Sequence, residues 1–121
     1  MKRRLGIVLD VNSSFEDLVY KVSQAFNISL SIKDDKGRYI ATGNLTKYKI
    51  TVVDKEDRQS ELLCDEHYTL ELDMENENDN YEYESEILNI LFEANIKWIK
   101  GVWNALNKQE RYKIIHPDTN S

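Results

Sequence analysis

The sequence predicts an α+β fold, a two-layer sandwich in which a mainly antiparallel sheet of about five strands carries two helices on one face. Three observations lead to this prediction. Apolar and polar residues alternate in several short segments, apolar residues recur at helical spacing in two others, and turn residues separate the alternating segments. Alternation is typical of a strand with one buried face, and an amphipathic helix supplies the cover that such a face needs. The predicted order is β-α-β-β-β-β-α.

The first two elements are a buried strand and an amphipathic helix. Apolar residues alternate through residues 4–11 and predict the strand. Ser13, with Glu16 three residues later, predicts a capping box that satisfies free backbone amides at a helix start. The buried face of this helix is a set of apolar residues at helical spacing: Phe15, Leu18, Val19, Val22 and Phe26. Asn27 is expected to close the helix in a left-handed conformation.

Four further strands are predicted in the middle of the chain. Their alternating residues lie in the segments 28–33, 38–42, 48–52 and 62–74. Gly37 supplies a positive φ in the turn 34–37, so the first two of these strands form a hairpin. Residues 54–60 are polar and charged, and they are interpreted as a loop. The clearest alternation in the chain runs through Tyr68, Leu70, Leu72 and Met74.

The last predicted helix starts near Asp79 and Glu82, which suit its cap, and runs to about Lys108. Its apolar residues cover an arc of about 240°, which is more than a helix resting on one sheet needs. Phe92, Ile96 and Trp103 lie outside the main stripe and need cover from the first helix or from a second copy of the chain. Residues 111–115 extend this helix or form a short strand. One globular domain is expected over residues 1–116, followed by a flexible tail at 117–121.

The charge of the chain is unevenly distributed. The net charge is −6, which disfavours nonspecific attraction to nucleic acid. Residues 54–86 have a balance of −12, because they contain 14 acidic residues and two basic ones, whereas the rest of the chain has a balance of +6. No apolar run reaches the roughly 18 residues of a membrane-spanning helix. A single cysteine allows no intrachain disulfide, so a reducing compartment and a cytoplasmic location are expected.

Two sets of residues that could bind a metal ion or act in catalysis are better explained by structural roles. Cys64 and His67 have the spacing of half a zinc site, but residues three apart on a strand point to opposite faces. Cys64 is therefore interpreted as a buried structural residue. Asp10 ends an apolar strand, where an aspartate can be a phosphoryl acceptor or a magnesium ligand, yet turn formation accounts for it. The sequence thus predicts no catalytic residue, no metal site and no cofactor.

The acidic stretch is the candidate partner-binding site. Strand alternation places Asp65, His67, Glu71 and Asp73 on the strand face that looks away from the helices. Carboxylates and tyrosines then follow along the chain, a composition that suits a protein interface. The predicted binding residues are Asp65, His67, Glu71, Asp73, Glu75, Tyr81, Glu82 and Glu84. The alternative is a solvated surface that keeps the protein soluble.

Residues 52–58 (VVDKEDR) and 63–70 (LCDEHYTL), in a small acidic α+β chain, resemble the immunity proteins of bacterial toxin systems, including contact-dependent growth inhibition. The resemblance implies a protein that binds a cognate toxin, very often a basic nuclease, and blocks its active site. It transfers no functional residues. The net charge of −6 separately leads us to expect no direct contact with nucleic acid or membrane. The alternatives are a homo-oligomeric structural or adaptor protein, with a homodimer through the last helix, and a small enzyme.

Overall fold

The computed structural model describes residues 3–57, 62–63, 67–74, 83–105 and 113–117. Two helices and eight strands occur in this part of the chain. The helices are α1 (Phe15–Phe26) and α2 (Glu84–Glu93). The strands are β1 (Arg3–Leu9), β2 (Ser31–Asp35), β3 (Arg38–Asn44), β4 (Tyr48–Asp57), β5 (Leu62–Leu63), β6 (Thr69–Met74), β7 (Trp98–Ala105) and β8 (Lys113–Ile115). The α+β class is confirmed, but the prediction of about five strands was wrong.

All eight strands form one antiparallel sheet in the order β2-β3-β4-β6-β1-β7-β8, and β5 pairs with the end of β4. The central strand is β6, which lies between β4 and β1. Its Leu72 stands between Leu5 of β1 and Ile50 of β4, and all three side chains are fully buried. This row belongs to the inner face of the sheet, which forms the floor of the hydrophobic core.

Helix α1 contributes five buried side chains to the same core, as its apolar spacing predicts. Its N-cap is Ser14 rather than the expected Ser13, because the Ser14 hydroxyl accepts a hydrogen bond of 3.1 Å from the Asp17 amide. The Ser13 carbonyl instead accepts a hydrogen bond of 2.9 Å from the Tyr68 hydroxyl. The helix ends as predicted, with Asn27 in the left-handed conformation at φ 53°.

The predicted hairpin of β2 and β3 is present and turns on Lys36 and Gly37, whose φ angles are 56° and 96°. Two consecutive positive φ angles are typical of a two-residue type I′ turn, which matches the twist of antiparallel strands. The Asp34 carboxylate accepts a hydrogen bond of 2.6 Å from the Gly37 amide and fixes the turn. Strand β4 continues to Asp57, so the interpretation as a loop was wrong for residues 54–57, whereas residues 58–60 lie outside the described residues.

The segment predicted as one long last helix is instead a short helix followed by a strand. Helix α2 ends at Glu93, and Asn95 takes a left-handed conformation at φ 57°. The Ile96 amide donates to the Leu91 carbonyl and the Asn95 amide to the Phe92 carbonyl, the hydrogen bonds of a Schellman motif. Residues 98–105, expected to be helical, form β7 along the edge of β1.

The wide apolar arc therefore belongs partly to α2 and partly to β7. Trp103 is opposite Leu5 on the inner face of the sheet and is 1% exposed, so the fold itself covers it. Ile96 is also buried, whereas Phe92 is exposed. Residues 113–115 form a strand, which decides between the two alternatives for this segment. The argument for a homodimer through a long last helix loses its structural basis, because that long helix does not exist.

Candidate functional site: the acidic residues of the central strand

The outer face of the sheet is the face opposite the core. The side chains of β6 point alternately to the inner and the outer face, as predicted. Leu70, Leu72 and Met74 of β6 are fully buried, whereas Thr69, Glu71 and Asp73 are half-buried on the outer face. Two of the predicted binding residues, Glu71 and Asp73, therefore lie side by side on this face. Because β6 is the central strand, they lie near the middle of the sheet.

Arg4 on β1 binds both carboxylates. Its Nε donates to Asp73 Oδ1 at 2.6 Å and its Nη2 to Asp73 Oδ2 at 3.4 Å. Its Nη1 also approaches Glu71 Oε2 at 3.5 Å. The hydrogen bond to Asp73 raises the pKa of Arg4 above its ordinary value, and Glu71 adds a smaller electrostatic contribution in the same direction. A fork of this kind fixes the positions of both carboxylates.

Basic residues on the two neighbouring strands therefore offset the charges of Glu71 and Asp73. Asp73 stands between Arg4 and Lys49, its register partners on the two neighbouring strands. Glu71 stands between Gly6 and Thr51, which carry no charge. Glu71 and Asp73 are not free carboxylates, because both are half-buried and paired with Arg4. Most acidic residues of 54–86 lie in two acidic segments, residues 54–68 before β6 and residues 75–86 after it.

Glu84 lies elsewhere in the fold. It is in the first turn of α2, and its Oε1 accepts a hydrogen bond of 2.8 Å from Nε1 of Trp103. Lys113 Nζ lies 3.6 Å from the same oxygen, and the Glu84 side chain is 21% exposed. Since Trp103 belongs to the inner face, the structure does not bring Glu84 together with Glu71 and Asp73. Its contacts connect α2 to β7 and β8.

His67 is half-buried and directly precedes Tyr68, an inner-face residue. The other predicted binding residues, namely Asp65, Glu75, Tyr81 and Glu82, lie outside the described residues, as does Cys64. The Tyr68 carbonyl accepts a hydrogen bond of 2.9 Å from the Leu9 amide, and its ring lies 4.9 Å from Lys55 Nζ. These contacts fix the point at which the acidic segment before β6 enters the sheet.

Two residues of this region were not predicted. Alternation along β1 places Arg4 on the outer face, but it cannot say which strand lies beside β1, so its pairing with Asp73 could not be found. Asp54 is 2% exposed, and its carbonyl accepts a hydrogen bond of 2.8 Å from Arg38 Nε. Asp54 is two residues from Val52 and four from Ile50, so strand alternation places all three on the same buried face. The charged residues that follow Asp54 led to its interpretation as part of a loop.

The described part of the chain contains no group of three or more His, Cys, Asp or Glu side chains that could hold a metal ion. None of its helices is long and apolar enough to cross a membrane. A scan against protein-family models found no matching family, and a search of curated proteins found no significant match.

Proposed function

We propose that this chain is an immunity-type inhibitor that binds the basic surface of a cognate toxin through the acidic segments at the two ends of β6. The observation that carries the proposal is the segregation of charge, with −12 over residues 54–86 against +6 in the rest of the chain. These segments flank β6, the strand at the centre of the sheet. Binding residues on segments held by such a scaffold are a common arrangement.

We also infer a two-layer arrangement in which both helices cover the inner face. From α1, the Phe15 ring lies 6.2 Å from the ring of Tyr68 and the Phe26 ring 6.4 Å from that of Tyr48. From α2, Glu84 reaches Trp103. In all three contacts the partner on the sheet is an inner-face residue. This supports the inference that the helices leave the outer face accessible to a partner protein.

The distance between the two ends of β6 is short enough for a single partner protein to contact both acidic segments. Strand β6 has six residues, and at about 3.3 Å per residue it spans about 20 Å. A standard interface covers about 800 Å² on each protein, which corresponds to a patch about 30 Å across. One toxin surface can therefore contact the acidic segments at both ends of β6, with the compensated residues Arg4, Glu71 and Asp73 between them.

Inhibition follows from competition for cations. A nuclease holds phosphates with lysine and arginine side chains, and carboxylates at matching positions occupy those side chains instead. Complementary charge also speeds association and makes it dependent on salt. We therefore expect the association rate to fall steeply as the NaCl concentration rises.

The test begins with co-expression of the chain and a candidate basic toxin, sought among the proteins encoded beside its gene, with growth as the readout. Growth is expected to be restored, and the purified pair is expected to form a 1:1 complex. Failure of both, with both proteins folded, would refute the proposed function. A noncognate basic protein, lysozyme, should not bind at physiological salt.

Charge-reversal variants then locate the site. The variant Glu75→Lys/Glu77→Lys should slow association about ten-fold at low salt, since steering contributes roughly 10- to 1000-fold to association rates. The matched control is Asp35→Lys/Glu93→Lys, which changes the net charge equally at two exposed positions. An equal loss in test and control would mean that net charge alone matters. Reversal of Glu71 and Asp73 is less informative, because it also places new cations beside Arg4.

A further inference from the structure

A cleft of about 460 Å³ opens where α2 ends and β7 begins, on a part of the molecule that the proposed acidic site does not include. We call it the Trp98 cleft. Its lining includes Asp10, Leu91, Phe92, Ile96, Lys97 and Trp98. The Schellman motif at the end of α2 shapes it, because the left-handed Asn95 turns the chain from the helix into β7.

The lining is mainly aromatic and apolar. Leu91 and Ile96 are buried, whereas Trp98 is half-buried and packs against the edge of the core. Phe92 is 76% exposed, the most exposed large apolar side chain in the described part of the chain. Aromatic rings that stay accessible beside a cleft are favoured sites of contact with a partner.

The charged and aromatic groups of the cleft together decide what kind of ligand it suits. Asp10 is one of the lining residues, and its backbone amide donates a hydrogen bond of 2.9 Å to the Lys97 carbonyl. Lys97 also lines the cleft. The charges of Asp10 and Lys97 cancel, so the two aromatic residues decide which ion the cleft suits better. The face of an aromatic ring attracts a cation and repels an anion, so the cleft suits a cation better than an anion.

We propose that the Trp98 cleft binds an arginine side chain of the partner protein. A guanidinium group is flat, stays charged and is weakly hydrated, so it stacks on an aromatic ring while it pairs with a carboxylate. The proposal rests on the proposed function for the identity of the partner, since a basic toxin presents arginines. The chemistry of the cleft can be tested without the toxin.

The first experiment titrates the ¹⁵N-labelled full chain with Nα-acetyl-arginine amide and, separately, with Nα-acetyl-citrulline amide. Citrulline has nearly the same shape and hydrogen-bonding groups but no charge. We expect millimolar binding of the arginine derivative, with shifts in the amides of Asp10, Phe92 and Lys97 and in the Trp98 indole. The citrulline derivative should bind about ten-fold more weakly, from the loss of a cation–π contact and an ion pair. Equal binding, or no shifts around the cleft, would overturn the proposal.

Variants give the second experiment. Asp10→Asn keeps the shape of the side chain and should reduce arginine binding to the level of citrulline. Trp98→Leu should weaken both ligands, and a retained amide spectrum shows that each variant is folded. The control is Glu93→Gln, which removes a carboxylate from the same end of α2 but outside this cleft. Unchanged arginine binding in folded Asp10→Asn would overturn the proposal.

The same variants separate this inference from the proposed function. If the chain inhibits the toxin and Asp10→Asn inhibits it equally well, the arginine cleft is wrong and the proposed function stands. If the cleft binds the arginine derivative but the chain neither binds nor inhibits the toxin, the cleft stands and the proposed function is wrong.

Discussion

Replacing Glu84 by alanine should destabilise the fold because the carboxylate holds the indole of a buried tryptophan. Oε1 of Glu84 accepts the hydrogen bond from Nε1 of Trp103 at 2.8 Å. The change removes this acceptor from a tryptophan that is 1% exposed. It also removes the ion pair with Lys113, which connects α2 to the edge strand β8.

The magnitude follows from these contacts. A hydrogen bond to a charged group contributes about 1.5–3 kcal/mol to the free energy of unfolding. Glu86 provides the matched control, because it lies in the same first turn of α2 and is accessible, with an ion pair of 3.4 Å to Lys47. Both carboxylates interact alike with the helix dipole, and an exposed ion pair contributes about 0.2–1 kcal/mol. We therefore expect Glu84→Ala to cost about 1–2 kcal/mol more than Glu86→Ala.

The measurement is urea unfolding followed by circular dichroism and by tryptophan fluorescence. Glu84→Gln should retain most of the stability, because its amide oxygen can accept the same hydrogen bond. For a chain of this size, each kcal/mol corresponds to about 3–5 °C in Tm. If Glu84→Ala and Glu86→Ala agree within about 0.5 kcal/mol, the hydrogen bond to Trp103 does not stabilise the fold as argued.

Three further predictions concern the backbone and the core. Gly101→Ala should lower the free energy of unfolding by about 1–3 kcal/mol in urea, because its Cβ would lie 2.9 Å from Cγ1 of Ile115. Gly6→Ala, whose Cβ meets nothing nearer than 3.9 Å, should change it by less than about 0.5 kcal/mol. Asn95→Ala should lower thermal stability by about 1 kcal/mol and Asn95→Gly should not, since φ is 57°. Burial raises the pKa of Tyr48 to about 12. Unfolding releases a proton above pH ~10, the ordinary tyrosine pKa, so stability should fall between pH ~10 and ~12, and less so in Tyr48→Phe.

The two helix ends show how far local sequence determines the fold. Both helices end on an Asn-Ile pair, Asn27-Ile28 and Asn95-Ile96, with the hydrogen bonds of a Schellman motif. The end of α1 is predictable from the sequence, because apolar and polar residues alternate strictly after it, as in a strand. The apolar residues of 98–105 also fit helical spacing, so periodicity alone does not distinguish the helix from the strand. Pairing with β1 decides the conformation, and that pairing depends on residues far away in the sequence.

Local sequence likewise predicts only part of the candidate site. Alternation predicts that Glu71 and Asp73 share a face, and the structure agrees. Whether a carboxylate is free or paired depends on which strand lies beside it, and the register that brings Arg4 to Asp73 is not encoded in either strand alone. Glu84 was expected to continue the acidic surface, but the break between α2 and β7 directs it toward Trp103.

The position of β1 between β6 and β7 has a consequence for how the protein folds. Val8 pairs with Thr69 and Arg3 pairs with Ala105, so every contact of β1 within the sheet closes a very long loop. Strands β2, β3 and β4 are joined by short turns and can pair early. Topologies dominated by distant pairings fold slowly. Until β1 docks, β6 and β7 each present an unpaired apolar edge that another molecule can occupy. We therefore expect slow refolding, with a yield that decreases as the protein concentration rises.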